Sequence, residues 1–301
     1  MMLRERHRLM EEETMTRILG LLLLSFLCFQ TARAIDPGRA QGVLKLGDAT
    51  IELKEAYAHL HDNAEGLLDR PKEMRIVLCD REIPQESLKG IAFLPVETLA
   101  KEGRVRGLLL QFDPGDQSKM VVTVLRAPSR QGASLMTLSL VNTGQALFKK
   151  LAISQTRVDG EVDHAETGRS GDDDLPKISY SVKFTAPVFN ELPVTADLKG
   201  KAAQDSPQAK IAREKLNAMK KGDFEAVKRL ETERSKRETD LLLAQMGSNA
   251  PSIAKEIAGE MEQSLMKIQR VVVRGSTAVM IYSDKTWSNF ALEEGQWKSD
   301  D

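Results

Sequence analysis

The residue types best suited to chemistry lie in His59-Leu60-His61-Asp62. On an extended strand His59 and His61 point to the same side, as two ligands of one metal ion must. A third or fourth ligand has to come from elsewhere, with His164 and Asp163 as candidates if the fold brings them near. Without them the two imidazoles read as an exposed pair on a polar strand face. A second group, Asp172-Asp173-Asp174 with Glu161, Asp163 and Glu166, offers the oxygen ligands that suit calcium. It lacks the spaced ligands and central glycine of a helix–loop–helix calcium site, so it reads as a solvated acidic loop.

Catalytic machinery is harder to find. The chain has no P-loop, dinucleotide-binding glycine turn, nucleophile elbow, HExxH or CxxC. No motif asks for a cofactor, and the chain reads as noncatalytic. Charged residues make up 29% and nearly cancel at net charge -1, which offers no field for nucleic acid. Aromatics at 5% are too few for base-stacking platforms.

The N-terminus carries a targeting signal. Arg17, the apolar run Ile18–Phe29 and Thr31-Ala32-Arg33-Ala34 are the basic flank, apolar core and small-x-small end of a secretory signal. Cleavage after Ala34 leaves a mature chain starting at Ile35, with no stable membrane anchor, in the periplasm or fully released. The apolar run is short for a bilayer span. Met1–Thr14 precedes a complete signal beginning at Met15 and reads as a misassigned start, with a long basic leader as the alternative. Cys28 follows Phe26-Leu27, where a lipid-attachment site wants small residues. Loss of Met1–Ala34 removes five Lys/Arg and four Asp/Glu, so the mature chain is net -2. It keeps a single cysteine, Cys79, which excludes an intramolecular disulfide. Cys79 ends the strand-like run Met74–Cys79 and reads as a small buried hydrophobe.

The elements that must position these groups change period along the chain. Residues 38–198 read as a β-rich domain, an antiparallel sandwich or partly closed barrel. Val43–Leu46 and Thr50–Leu53 form a hairpin around Gly47-Asp48, and Tyr57–His61 extends its second strand. Met74–Cys79, Arg104–Phe112, Met120–Leu125, Leu135–Val141, Ala146–Val158 and Ile178–Phe184 follow as strands. Residues 85–102 are the exception, with Leu88, Phe93, Val96 and Leu99 at helical spacing. Residues 199–207 lack periodicity and bulky apolar side chains and read as a linker.

Residues 208–301 read as a small α+β domain of helices followed by an antiparallel meander. Ser206-Pro207 starts a helix, Gly222 stops it and Asp223 caps the next. Glu231–Asp240 is almost fully charged and reads as a solvated helix face. A third helix carries Ile253, Ile257, Met261 and Leu265 in register, and strands Ile268–Val273, Ala278–Tyr282, Trp287–Leu292 and Gln296–Ser299 close the chain.

The junction Lys220-Lys221-Gly222-Asp223-Phe224 and the ending Leu292-Glu293-Glu294-Gly295-Gln296-Trp297-Lys298 resemble the nuclear-transport-factor-two-like (cystatin-like) superfamily of small exported domains. The resemblance covers about Pro207–Asp301 and implies a curved sheet wrapped by helices into a cone that can hold a ligand. Tyr282, Trp287 and Trp297 are then the pocket candidates, although tryptophans at the ends of a meander also serve as packing. Catalytic members place Asp, His or Tyr inside the cone, whereas here no His follows His164. Leu53–Ala58, Ile76–Asp80 with Pro84, and Ala100–Gly107 resemble exported bacterial β-rich domains to which no activity is attached. Three readings remain open: a noncatalytic binder of a small ligand or an envelope partner, a structural envelope protein, and a hydrolase with a carboxylate site.

Overall fold

The computed structural model describes residues 38–84, 87, 94–128, 135–141, 147–165 and 177–301. The signal, its cleavage site, Met1–Thr14, Glu166, Asp172–Asp174, Leu88 and Phe93 lie outside the described residues. The described residues belong to one compact unit. It is mixed α and β, with a large curled half-barrel sheet and a second, smaller sheet.

The large sheet is built from β1 (Arg39–Leu46), β2 (Ala49–His61), β3 (Glu73–Cys79), β4 (Gly107–Asp113), β5 (Asp116–Leu125), β6 (Met136–Val141), β7 (Lys150–Ile153), β8 (Arg157–His164) and β9 (Ile178–Asn190). Their order is β6-β5-β4-β3-β2-β1-β9-β8-β7. Sequential neighbours within the sheet pair antiparallel, with tight turns joining β1 to β2 and β4 to β5; Gly47 supplies the positive φ of the first, at 58°. The stretch 146–158, expected as one strand, is broken by a turn in which Ser154 caps Arg157, giving β7 and the start of β8. Short β1 lies between two 13-residue strands. Beyond its N-terminal end β2 and β9 meet directly and in parallel, from Ala58–Val188 to Leu60–Asn190. That closure wedges the sheet into its curl.

Alternation along the strands decides what fills the concave side. Leu44, Leu53, Ile76, Leu78, Leu108, Leu110, Val122 and Phe184 form one core there. Phe112 meets Phe148 at 5.0 Å between ring centroids. The opposite face of β3, β4 and β5 is covered by α1 (Leu94–Lys101), whose Val96, Leu99 and Ala100 pack on Val77, Cys79 and Leu109. Covered on both faces, β3 is buried at every position. Gly42 in β1 allows β9 to approach: a Cβ there would lie 2.2 Å from the Ser181 carbonyl oxygen.

The small sheet has the order β10 (Ala196–Lys199), β11 (Ile268–Arg274), β12 (Thr277–Tyr282), β13 (Trp287–Glu293) and β14 (Gln296–Ser299). Residues 199–207, expected as a linker, are structured instead. Lys199 ends the edge strand β10, and α2 (Lys201–Gln204) buries Ala203 completely in the second core. Small alanines pack without the bulky signature that sequence reading looks for.

Helices α3 (Pro207–Lys221), α4 (Phe224–Arg229), α5 (Glu233–Met246) and α6 (Ala250–Leu265) cover one face. The Ser206 hydroxyl accepts from the Ala209 N–H at 3.2 Å, and Gly222 closes α3 at φ 69°. Asp223 caps α4 through the Ala226 N–H at 2.9 Å. In α6 the buried stripe is Ala250, Ala254, Ala258 and Leu265, while Ile257 is exposed. Of the expected register, Leu265 is buried in the core, Met261 packs against it, Ile253 is half-buried and Ile257 is exposed, and the alanines fill the rest of the buried face. Among the described residues no helix is long and apolar enough to cross a membrane.

Candidate functional site

A cavity of about 560 Å³ opens between helices α3–α6 and the small sheet. Its apolar wall includes Met219, Phe224, Leu242, Ile257, Met261 and Trp287. Tyr282 and Trp287, two of the three expected pocket residues, line it. Tyr282 is buried with its hydroxyl 3.0 Å from Ser288 Oγ. Burial pushes its phenol up to about 12, so it stays a neutral donor at ordinary pH. Trp287 is 43% exposed and forms part of the rim. Trp297 packs against the second core and does not line the cavity.

The polar floor was not anticipated from sequence. Glu231 sits in the charged stretch 231–240, yet it is 1% exposed. A bridge to Ser299 places it: Thr232 N–H donates to the Ser299 carbonyl at 2.9 Å, and Ser299 N–H to that of Leu230 at 2.8 Å. Glu231 Oε1 accepts from Thr239 Oγ1 at 3.0 Å and pairs with Lys215 Nζ at 2.8 Å. Lys215 also donates to Ser299 Oγ at 3.0 Å. Glu231 Oε2 is buried with no hydrogen-bond partner, a costly state unless something else completes it. The acidic residues Glu231, Glu238, Glu260 and Asp301 line the cavity against the single cation Lys215.

The histidines lie elsewhere. His59 and His61 do share one face of β2, but they are buried, not exposed. Both turn a ring nitrogen toward one carboxylate oxygen of Glu191. His61 Nδ1 lies 2.8 Å from Glu191 Oε2, and His59 Nε2 lies 3.5 Å from the same oxygen. Burial pushes the His59 imidazole down to about 4 despite the attraction of Glu191, so it is neutral at ordinary pH. Burial opposes ionisation of Glu191, but the hydrogen bond from His61 and the attraction of His59, His61 and Arg274 together outweigh it and keep the carboxyl below its usual range.

The expected further ligands are occupied otherwise. His164 stacks on Tyr180 at 5.3 Å, Asp163 pairs with Lys149 and Glu161 lies 3.7 Å from Lys183. Among the described residues, the group of ligand atoms that does converge is His61, Asp62 and Glu65. Arg274 of β11 reaches the same place, donating from Nε to Glu65 Oε1 at 2.6 Å and from its terminal nitrogens to Asp62. Glu65 stands only four residues after His61, where spacing could have pointed to it, whereas Glu191 and Arg274 lie far along the chain and left no signal in spacing.

Cys79 is buried, and its thiol is pushed up to about 12 by desolvation while it donates to the Arg81 carbonyl at 3.2 Å. An inert packing role fits that environment. No family model matches this chain, and no curated protein or solved structure does either.

Proposed function

We propose that this chain is an exported, noncatalytic binding protein whose ligand sits in the cavity of its C-terminal α+β part. The carrying observation is a largely apolar cavity of about 560 Å³ whose lining includes Glu231, a buried carboxylate with one oxygen, Oε2, left without a hydrogen-bond partner. That volume lies within the range of about 300–1,000 Å³ usual for small-molecule sites. Met219, Leu242, Ile257 and Met261 suit a flexible apolar body, since methionine adapts to irregular shapes. The floor selects the other end. Lys215 already pairs with Glu231 and Ser299, and the remaining charges around the cavity are acidic. The ligand class is therefore an amphipathic molecule ending in an N–H or O–H donor, an alkyl amine above all.

Export rests on the signal-like N-terminus, and the cone on the resemblance to the nuclear-transport-factor-two-like superfamily. The helices followed by a meander support that resemblance. Native mass spectrometry of chain purified from the exported fraction tests the reading. The expected result is chain starting at Ile35 that takes up one equivalent of dodecylamine, and an Ile257→Asp variant that does not. A wild-type chain that takes up none, or an Ile257→Asp chain that takes up as much, would overturn it. Ile257 and Leu242 are exposed at the rim, so substituting them leaves the core intact.

A further inference from the structure

We propose that a zinc-type divalent cation binds between the two sheets, held by His61 Nε2, Glu65 Oε2 and a carboxylate oxygen of Asp62, with Glu191 orienting the imidazole from behind. This site is separate from the ligand cavity and does not depend on it.

Two orphaned atoms carry the inference. His61 and Glu65 have fully buried side chains, and His61 Nε2 and Glu65 Oε2 are both without a hydrogen-bond partner. They face one another at 3.5 Å. A charge-assisted hydrogen bond between them would bring them to about 2.7–2.9 Å. Two ligands of a tetrahedral zinc ion, each about 2.0–2.2 Å from the metal, stand roughly 3.4 Å apart. The observed separation matches the metal-bridged distance. Ligand atoms of His61, Asp62 and Glu65 all lie within 4.8 Å of one another, which leaves the fourth position to water.

The surroundings are those of a metal-binding imidazole. Glu191 Oε2, 2.8 Å from Nδ1, places the proton on Nδ1 and leaves the Nε2 lone pair facing Glu65, the arrangement in which histidine ligates. Arg274 Nε holds the other oxygen of Glu65 at 2.6 Å, so Oε2 is aimed. Three carboxylates, Asp62, Glu65 and Glu191, meet one guanidinium, Arg274. The nearby cations Arg70 and Arg75 both pair with Glu73. With Glu73 and its two arginines counted, four carboxylates stand against three guanidiniums, and the remaining negative charge favours a cation. A histidine and carboxylates suit zinc better than calcium or magnesium. Asn63 shapes the loop between Asp62 and Glu65: it takes a φ of 48°, accepts from the Leu67 and Leu68 N–H groups and donates to the Leu68 and Arg70 carbonyls.

The test is calorimetric titration of zinc chloride into EDTA-treated full chain, with cobalt(II) absorption as a second readout. One equivalent per chain, a rise in Tm and the intense visible bands of tetrahedral cobalt are expected. Glu65→Gln should weaken binding by about tenfold or more, and Glu191→Gln by about 10–100-fold while stoichiometry is retained. His164→Gln should leave binding unchanged. If Glu65→Gln does not fold, Asp62→Asn replaces it, because Asp62 lies at the exposed rim. Absence of zinc uptake, or uptake indifferent to both Glu65→Gln and Asp62→Asn, overturns the proposal. So does nitrogen NMR that finds both His61 ring nitrogens protonated at saturating zinc, since an imidazolium would then bridge Glu191 and Glu65.

Discussion

Glu231 shows how far residue identity alone can mislead. It opens a run of ten residues of which seven are charged, and local reading assigns such a run to solvent. The fold instead ties residue 231 to the end of β14 and buries it beside Lys215. Exposure of a carboxylate depends on what lies opposite it, and the chain end that covers this corner is far away in sequence, as in the Thr232–Asp300 hydrogen bond across 68 residues. Glu231→Gln is expected to lower affinity for an alkyl amine by about tenfold, the loss of one charged hydrogen bond, while an alkyl alcohol loses less; competitive titration of the two checks this. At the other extreme Cys79 was legible, because a lone cysteine within an apolar strand run has little else to do. With its thiol pushed up to about 12, Cys79 is expected to resist iodoacetamide at pH 8 in native buffer and to react after denaturation. Mass spectrometry of the two samples reads the difference, and rapid native labelling would contradict it.

At the scale of elements, the sequence was most informative where one residue type does one geometric task. Ser206, Gly222 and Asp223 mark helix ends, and each does so in the structure. Glu294 and Gly295 both take positive φ, the requirement of the tight turn that joins β13 to β14. What stayed hidden depends on alanine and glycine, whose packing leaves no periodic trace: α2, the alanine stripe of α6, and the approach of β9 to β1. Gly42→Ala is a direct test of the last. Its Cβ would meet backbone atoms that cannot rotate away, so a loss of about 1–3 kcal/mol is expected. Urea unfolding measures it, and an unchanged midpoint would show that β1 and β9 are more loosely paired.

At the scale of the whole molecule, the two sheets read from sequence as separate domains, and nothing local reveals how they join. Arg274 makes that join, from β11 to the Asp62 and Glu65 side chains and the Leu192 carbonyl. Thr98 adds a hydrogen bond from α1 to Glu238 of α5 at 2.9 Å. Arg274→Met leaves Glu65 charged, buried and without its cation, and should cost about 3–5 kcal/mol. Adding Glu65→Gln should restore part of that loss, because the stranded charge is gone; paired denaturation curves of the single and double variants check it.

Selection of an amphipathic molecule by its donor end is the role proposed for the cavity beside the small sheet. Calorimetric titration of dodecylamine, dodecanol and dodecanoate into chain 35–301 and its Glu231→Gln variant tests it most directly. One molecule of amine per chain is expected, with weaker binding of the alcohol, weakest binding of the carboxylate, and a narrower spread in the variant. Dodecanoate binding as tightly as the amine would contradict it.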